Sequence, residues 1–393
     1  MTLRKQTLAL IIAAALIVGA LTGFGVMQIT KQAGGSGGSS LFGNTVQVDA
    51  DEYENLQYMA DKYQKAEELW QIIKKDYYTD IDDEDLYTGM YKGIFEGTGD
   101  QYSNYFTEKE YEEWQSSLSG EFDGIGVTYH ENEKGEYEII STFKGSPAEK
   151  AGMQKGDIIT KVDGKEYDTT DLLSTHIRGK AGTDVKITYM RNGKEKTVTI
   201  TRARIKMTTV ESEAMDGNIG YIKINSFEKN TATEFKDALT DMEDKKVKGL
   251  IIDLRDNGGG LVNSSTEIVD MLIDKGTIMY TEDNKGKKEY TYSTDGRTDL
   301  PYVVLVNENS ASASEIMTAA IKENKGGKIV GTKTFGKGII QQSSELKDGT
   351  GYKLTILQYF SPNGNKIHGE GIEPDIKVQG EEEQLEKAVE LLK

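Results

Sequence analysis

The sequence predicts a mixed α/β protein of several domains, with a mostly parallel sheet in its C-terminal half. Between about residues 207 and 378, apolar strand patterns such as "LII" and "VVLV" alternate with amphipathic helical patterns. That alternation is typical of a parallel sheet covered by helices on both faces. Between 118 and 206, short strand patterns separated by Gly-containing turns predict a smaller region made mainly of short strands and turns.

The N-terminus predicts a transmembrane signal-anchor within residues 1–30. Arg4 and Lys5 precede an almost uninterrupted apolar run at 8–27, long enough as a helix to cross the roughly 30 Å core of a bilayer. Because positive residues favour the cytoplasmic side, a single-pass cell-membrane protein with an extracytoplasmic body is expected. A signal peptide cleaved near Ala20 is the alternative, and it would export the same body.

A Gly/Ser-rich linker at 31–47 is predicted to lead into an N-terminal helical region at 48–117. Apolar residues in this region step by three and four positions, forming a seam of Leu56, Met59, Tyr63, Ala66, Trp70 and Ile73. The seam favours ordinary amphipathic packing, and a dimer-forming arm is the alternative, so a homodimer through these helices stays open. Residues 379–393 are predicted to form an amphipathic C-terminal helix.

Composition and spacing exclude several function classes. A net charge of −18 argues against nucleic-acid binding, which needs a basic face. The chain lacks cysteine and its three histidines lack metalloprotease spacing, so no metal and no cofactor are expected. The stretch 331–337 matches a phosphate-binding loop, but Gly338 replaces the required Ser or Thr, and the residues after it look like a strand and not a helix. Nucleotide binding is therefore not expected.

Ser312 is the candidate nucleophile because it lies at a predicted strand-to-helix junction, where unpaired N–H groups attract negative charge. A helix cap completed by Glu315 is the plainer interpretation of the same serine. The N–H of Ala313, with that of Gly258 or Gly259 from the loop "DNGGG", would form an oxyanion hole.

A serine nucleophile needs a base, and two side chains are candidates. His368 lies in a turn-rich stretch without an obvious acidic partner. Lys337 would serve if burial lowered its pKa toward neutrality. The apolar wall for that burial is expected from its neighbours Phe335, Ile339 and Ile340. The amide of Gln341, four residues on, would orient the lysine.

Residues 118–206 resemble a PDZ domain in "FDGIGV" (122–127) and "GSPAEKAGMQKGDIITKVDG" (145–164). The resemblance implies a peptide-binding site in which backbone N–H groups hold a C-terminal carboxylate and the peptide adds as an extra strand. The residues expected at that site are Gly124, Ile125, Gly126 and Val127. A Gly-rich turn that binds nothing is the alternative. Arg178 is a candidate for coupling this region to the active site.

Four further motifs resemble the C-terminal processing peptidases, family S41: "DLRDNGGG" (253–260), "SASASE" (310–315), "TFGKGIIQ" (334–341) and "GEGIEPDI" (369–376). The resemblance implies a crotonase/Clp-protease-like core at 207–378 with an inserted PDZ-like domain. It also implies a Ser/Lys dyad of Ser312 and Lys337, positioned by Gln341 and supported by Glu315 and Thr334.

The function implied is a membrane-anchored, exported serine endopeptidase without a cofactor. Its partners would be proteins or peptides presenting a flexible, apolar C-terminus, captured by the PDZ-like domain. A catalytically inactive PDZ adaptor and an acyl-CoA-handling enzyme on a related fold are the alternatives. One departure from the family is Gln101, where proline is usual, and this segment is expected to lie away from the chemistry.

Overall fold

The computed structural model describes residues 49–132, 134–167 and 169–393. The predicted membrane span at 8–27 and the linker at 31–47 lie outside the described residues. In the described part of the chain, no helix combines the length and the apolar character needed to cross a bilayer. The chain divides into two units, one ending at Gly93 and one running from Ile94 to Lys393.

The first unit contains α1 (Ala50–Asp76) and most of α2 (Asp83–Glu96). The Asp49 side chain caps α1 by accepting a hydrogen bond from a first-turn N–H, as a helix start requires. The rings of Trp70 and Tyr87 pack with their centroids 4.4 Å apart. Neither helix contains a buried residue; on the predicted seam of α1, Met59 and Tyr63 are exposed and the other four residues are partly buried.

The second unit begins with β1 (Asn104–Phe106) and α3 (Glu108–Ser119). A β-rich region follows, made of β2 (Glu121–Gly124), β3 (Val127–Glu131), β4 (Tyr137–Thr142), α4 (Pro147–Lys150), β5 (Ile158–Val162), α5 (Thr170–Ile177), β6 (Asp184–Arg191), β7 (Lys194–Thr201) and β8 (Ala203–Lys206). Strands β3 to β7 form an antiparallel sheet in chain order, and β2 pairs with β8. Asn192 and Gly193 have φ of 50° and 73°, as the predicted hairpin turn between β6 and β7 requires.

The remaining elements are β9 (Val210–Met215), β10 (Ile219–Ile224), α6 (Thr231–Asp244), β11 (Leu250–Asp253), α7 (Val262–Asp270), β12 (Thr277–Glu282), β13 (Lys288–Tyr292), β14 (Tyr302–Val306), α8 (Ala313–Glu323), β15 (Lys328–Gly331), β16 (Ile339–Glu345), β17 (Gly351–Phe360), β18 (Ile376–Lys377) and α9 (Glu381–Leu391). Six of these strands form the central sheet, in the order β18–β15–β14–β11–β10–β9. Strands β10 to β18 of this sheet run parallel, and β9 pairs antiparallel with β10.

Both faces of the central sheet are covered. Every residue of β11 and β14 is buried, which confirms the prediction made from their continuous apolar runs. Helices α6, α7 and α8 pack on one face, with Phe235, Met242 and Ile316 in the core. Helix α9 covers the other face through Ala388. The carboxyl ends of β11 and β14 then lead into two loops at one edge of the sheet.

A second, antiparallel sheet has the order β1–β17–β12–β13, with β16 paired to β17. The prediction of one mostly parallel sheet missed it. Strand β17 is central here because it pairs with β16 on one side and with β1 on the other. The pairing of Asn104 with Lys353 spans most of the chain, and local sequence pattern does not encode such a contact.

Candidate active site

Ser312 lies where β14 passes into α8, as predicted. It is the residue before the first turn of α8, with φ 56° and ψ −113°. A residue with a Cβ rarely adopts this conformation, which costs about 1–3 kcal/mol and persists only where the surroundings enforce it. Such strain is concentrated at functional sites. Ser312 therefore begins the helix in a strained conformation of the kind that is common at functional sites.

The glycine loop after β11 packs directly against Ser312. A Cβ on Gly259 would lie 2.7 Å from the Ser312 Cβ and 2.7 Å from the Ala311 carbonyl oxygen, and the φ of Gly259 is 102°. Only glycine fits this close approach. The Gly259 N–H donates to Asn257 Oδ1 at 2.9 Å. Among the hydrogen bonds of the described residues, none involves the Gly258 N–H, so of the two predicted donors Gly258 is the one whose N–H is not already used.

We expect Gly259→Ala to destabilise the protein by about 1–3 kcal/mol from backbone strain alone, with a further loss from the clash. Gly258→Ala is the matched control, because a Cβ at this position would have no neighbour within 4 Å and its φ is not positive. Its unfolding free energy should stay within about 1 kcal/mol of wild type. Thermal or denaturant unfolding of both variants measures the difference. Equal stabilities would contradict the close approach of the glycine loop to Ser312.

Glu315 joins the serine segment to the lysine segment. This carboxylate is fully buried. Its Oε2 accepts hydrogen bonds from the Ser312 N–H at 2.9 Å and the Lys337 N–H at 2.7 Å. Its Oε1 accepts from the Thr334 hydroxyl at 2.6 Å and the Gly336 N–H at 2.7 Å. The four bonds satisfy the buried charge and fix Ser312 beside Lys337 through their backbones.

Tyr359, near the end of β17, makes a second bridge between the same two residues. Its hydroxyl lies 2.6 Å from the Lys337 carbonyl oxygen and 3.0 Å from that of Ser312. Burial, with the nearby Glu315 charge, raises the pKa of Tyr359, so its hydroxyl stays a neutral donor. Sequence reasoning missed this residue because "LQYF" looks like an ordinary strand.

The Lys337 amine does not reach the serine in this arrangement. Within the described residues, no hydrogen bond joins Lys337 Nζ to Ser312 Oγ. Nζ instead lies 4.3 Å from the ring centroid of Tyr102. Burial lowers the pKa of Lys337, and the charge of Lys353 lowers it further, while Asp100 and Glu315 oppose the change. The predicted lowering of the lysine pKa by burial is thus supported in direction.

Two expectations about the surroundings of Lys337 need correction. Of the three residues predicted to form its apolar wall, Phe335 is 57% exposed and does not serve, while Ile339 and Ile340 stay predictions; the Tyr102 ring contacts the amine. The segment around Gln101 does not lie away from the chemistry, since its next residue, Tyr102, contacts the lysine. The Gln341 amide donates to Thr355 Oγ1 at 3.0 Å, and no hydrogen bond joins it to Lys337 among the described residues.

His368 is the other candidate base, and its backbone packs against Gly338, the residue after Lys337. A Cβ on Gly338 would collide with the backbone of His368, which explains why this position is glycine rather than the Ser or Thr of a phosphate-binding loop. The Nδ1 atom of His368 is buried without a hydrogen-bond partner. No hydrogen bond connects this ring to Ser312 in the described part of the chain. In residues 49–132, 134–167 and 169–393, no group of three or more His, Cys, Asp or Glu side chains could hold a metal.

The predicted carboxylate-binding loop joins β2 to β3. Ile125 is fully buried, and its carbonyl accepts from the Ala148 N–H at 2.9 Å. No hydrogen bond of the described residues uses the N–H groups of Ile125 and Gly126, which lie between the two strands. Arg178, just after α5, places its guanidinium 5.4 Å from the ring centroid of Phe122. The predicted peptide-binding residues therefore share one end of the β3–β7 sheet.

Comparison with known proteins identifies the family. Residues 218–378 match the sequence model of peptidase family S41, residues 124–201 that of a PDZ domain, and residues 16–110 that of the activating protease CtpB N-terminal domain. Over 323 residues the chain is 40% identical to the carboxy-terminal processing protease CtpA of Bacillus subtilis (strain 168), covering 81% of this chain and 69% of that protein. This chain belongs to peptidase family S41. It is a carboxy-terminal processing serine protease of mixed α/β fold that carries a PDZ domain.

Two solved structures and a further relative are also similar to this S41 protease. A probable CtpA-like serine protease of Staphylococcus haemolyticus (strain JCSC1435) is 38% identical over 320 residues, covering 80% of this chain and 64% of that protein. The solved structure of a photosystem II D1 C-terminal processing protease aligns with TM-score 0.50 and 26% identity, over 83% of this chain and 87% of the other. A putative S41 protease from Bacteroides fragilis NCTC 9343 shares the fold, with TM-score 0.51 and 15% identity over 80% and 90% of the two chains.

Proposed function

We propose that this S41 protease cleaves peptide bonds with Ser312 as nucleophile and Lys337 as general base. One observation carries the proposal. A single buried oxygen, Glu315 Oε2, accepts hydrogen bonds from the N–H groups of both residues, at 2.9 Å from Ser312 and 2.7 Å from Lys337. A nucleophile and its base must be held at a fixed separation, and this bridge supplies it. The lowered pKa of Lys337 supports the role of base, because a neutral amine is needed to accept a proton.

The chemistry then follows in two halves. The Ser312 oxygen attacks the scissile carbonyl carbon and passes its proton to the Lys337 amine. The oxyanion that develops accepts hydrogen bonds from the N–H groups of Gly258 and Ala313. Lys337 returns the proton to the leaving amine, which leaves an acyl-enzyme on Ser312. Water, deprotonated by the same lysine, hydrolyses that ester and restores the serine.

Proton transfer requires the Lys337 amine to leave the Tyr102 ring. A base must come within about 2.6–3.2 Å of the proton donor, and catalytic hydrogen bonds in free enzymes are often longer. The flexible four-carbon stem of lysine allows this turn while Glu315 and Tyr359 keep its backbone in place. We assign Gln341 a positioning role exerted through Thr355, to which its amide is bonded.

The substrate proposed is a protein with a flexible, apolar C-terminus, captured by the PDZ domain. Strand β3 is an edge of the β3–β7 sheet, so a peptide strand can add to it. The unused N–H groups of Ile125 and Gly126 support capture of the terminal carboxylate. Leu172 on α5 is 49% exposed and offers an apolar contact for the last side chain. Arg178 remains the proposed link from this site to the protease core.

We expect a peptide with a free, apolar C-terminus to bind the Ser312→Ala protein at least about tenfold more tightly than the same peptide with a C-terminal amide. The reason is that amidation removes a charged acceptor, whose hydrogen bonds contribute about 1.5–3 kcal/mol. Fluorescence anisotropy with both peptides measures the ratio. A ratio near one would show that the loop does not recognise the carboxylate.

The remaining assignments concern the whole chain. We propose residues 8–27 as a membrane anchor and 31–47 as its linker, which would place the protease at the outer face of the cell membrane. We also propose the region boundaries 48–117, 118–206, 207–378 and 379–393 given by the sequence. A homodimer through the N-terminal helices is supported by the exposure of Met59 and Tyr63, at 42% and 40%, on the seam of α1.

The test of the proposed function compares full-length wild type with Ser312→Ala in detergent. Each is incubated with an unfolded protein that ends in apolar residues, and fragments are followed by mass spectrometry. Wild type should cleave and Ser312→Ala should not, while both bind the substrate C-terminus. If both bind but neither cleaves at any pH or substrate concentration, the chain acts as a PDZ adaptor instead. Cleavage by Ser312→Ala would exclude this serine as the nucleophile.

A further inference from the structure

Strand β17 is paired along the whole of one edge and along only part of the other. On the first edge, β16 pairs with it from Gly351 to Gln358. Because those residues are already paired there, β1 (at residues 351–353) and β12 (at residues 358–360) both lie on the opposite edge. In the part of the chain that the structure describes, no strand lies opposite residues 354–357 on that edge. We call this interruption the β17 gap.

A groove adjoins the β17 gap. It is a cavity of about 270 Å³, lined by residues 355–358 of β17, residues 282–284 at the end of β12, and Ile339 at the start of β16. None of these lining residues is buried, so the groove is open to solvent. Ile356, which is 38% exposed, contributes an apolar side chain to it. An open strand edge beside apolar side chains is a surface to which an extended peptide can pair.

The β17 gap lies next to the proposed base, Lys337. Ile339, in the wall of the groove, is two residues after this lysine. Toward the β1 end of the gap, the Thr355 N–H donates to Ser103 Oγ at 3.0 Å. Tyr102, the residue before Ser103, has its ring centroid 4.3 Å from Lys337 Nζ. A peptide in the gap would therefore lie beside the segment that carries the lysine and beside the turn that contacts its amine.

We propose that the β17 gap binds the polypeptide substrate as an added strand next to the scissile bond. A strand of about four residues fits opposite residues 354–357. β1 and β12 both run antiparallel to β17, so a substrate strand in the same direction would complete that edge. The Thr355 N–H is already used by Ser103, so pairing would involve the other backbone groups of the gap. This inference rests on the proposed cleavage at Ser312 and adds a binding site outside the PDZ domain.

The groove favours apolar substrate side chains. Its two carboxylates lie at the β12 end and already have partners. Glu282 Oε2 is 3.6 Å from Lys288 Nζ. Asp283 Oδ1 accepts from the N–H groups of Lys285 and Lys287 at 2.8 and 2.9 Å. Since every second residue of a strand faces the same side, alternate substrate side chains would contact the apolar part of the groove. The substrate class is therefore an extended, apolar segment of an unfolded polypeptide.

A single introduced cysteine tests where the substrate lies, because the chain itself has none. Full-length Ser312→Ala carrying Ile356→Cys is mixed with apolar peptides, each with one activated disulfide at a different position. The peptides end in a C-terminal amide, which removes the carboxylate proposed to bind the PDZ domain. Intact-protein mass spectrometry measures the rate at which the protein forms a disulfide with each peptide.

Leu346→Cys in the same background is the matched control. Leu346 is 41% exposed, close to the value for Ile356, and lies at the far end of the β16–β17 hairpin. We expect the best peptide to react at least about tenfold faster with Ile356→Cys, because binding holds the two sulfur atoms together. Excess peptide without the disulfide should remove that advantage. Equal rates at the two positions, or an advantage that excess peptide does not remove, would overturn the inference. Thermal unfolding of both variants establishes that they are folded.

Methylation of single peptide nitrogens tests the strand pairing itself. In a β-strand, only every second N–H points toward a given neighbour. We expect N-methylation at alternate positions of the reacting peptide to slow its reaction with Ile356→Cys about fivefold or more, and methylation at the intervening positions to change it little. Losses without this alternation would exclude an added strand. Cleavage by Ser312→Ala, or full activity of Lys337→Arg, would instead contradict the proposed function, and neither result depends on the disulfide rates.

Discussion

Lys337→Arg should reduce kcat/KM by about 10⁴-fold or more, although it keeps the positive charge. Arginine stays protonated in proteins, so it cannot take the proton from Ser312. Removing the base of a serine protease typically costs this much or more. Cleavage of an unfolded substrate protein by the full-length chain, followed between pH 6 and 10, measures the loss. The lowered pKa of Lys337 predicts that wild-type activity rises with pH through a value below that of a free lysine.

Lys333→Arg is the matched control for this substitution. Lys333 lies four residues earlier in the same segment and is exposed, with an ion pair to Glu373 at 3.8 Å. An exposed pair of this kind contributes about 0–1 kcal/mol, so Lys333→Arg should behave as wild type. Retained cleavage by Lys337→Arg, in a protein that melts as wild type does, would contradict the dyad and bring His368 forward as the base.

Glu315→Gln should both destabilise the protein and inactivate it. The carboxylate accepts four hydrogen bonds while fully buried, and an amide nitrogen in place of one oxygen leaves two of those donors without an acceptor. Each of the two buried donors without a partner costs about 1–3 kcal/mol, so we expect an unfolding free energy lower by about 2–6 kcal/mol. Displacement of Ser312 from Lys337 should also reduce kcat by about 10²-fold.

Glu323→Gln, at the other end of α8, is the control for Glu315→Gln. Its carboxylate accepts from Asn363 and Asn365 at the surface, where water replaces a lost partner. We expect its stability to fall by less than about 1 kcal/mol, with kcat unchanged. Denaturant unfolding and initial-rate kinetics on the same preparations give both quantities. A Glu315→Gln protein as stable and as active as Glu323→Gln would show that the four-bond bridge does not hold the site together.

Much of the core could be predicted from the sequence because its signals are local. The buried runs in β11 and β14 mark parallel strands, and each is followed by a polar or Gly-rich loop. The carboxyl ends of neighbouring parallel strands meet at one edge of a sheet, so the glycine loop and Ser312 had to lie close together. The choice between Gly258 and Gly259 could not be made that way, because it depends on the side chain of Asn257.

The surroundings of Lys337 could not be predicted because they come from distant parts of the chain. Tyr102 reaches the lysine through the pairing of β1 with β17, and Tyr359 reaches it from the end of β17. Flanking apolar residues were the natural choice for its wall, yet Phe335 points to solvent. Local pattern predicted the residue that we propose as the base, whereas long-range strand pairing decides what surrounds it.

The most direct test of the dyad is covalent labelling of Ser312 by a fluorophosphonate, which reacts with an activated serine and forms a stable adduct. Intact-protein and peptide mass spectrometry would follow the labelling rate across pH in wild type and in Lys337→Arg. We expect a single adduct on Ser312 in wild type, with a rate that rises as Lys337 loses its proton, and no adduct in Lys337→Arg. Labelling of Ser312 at equal rates in the two proteins would contradict the claim that Lys337 activates this serine.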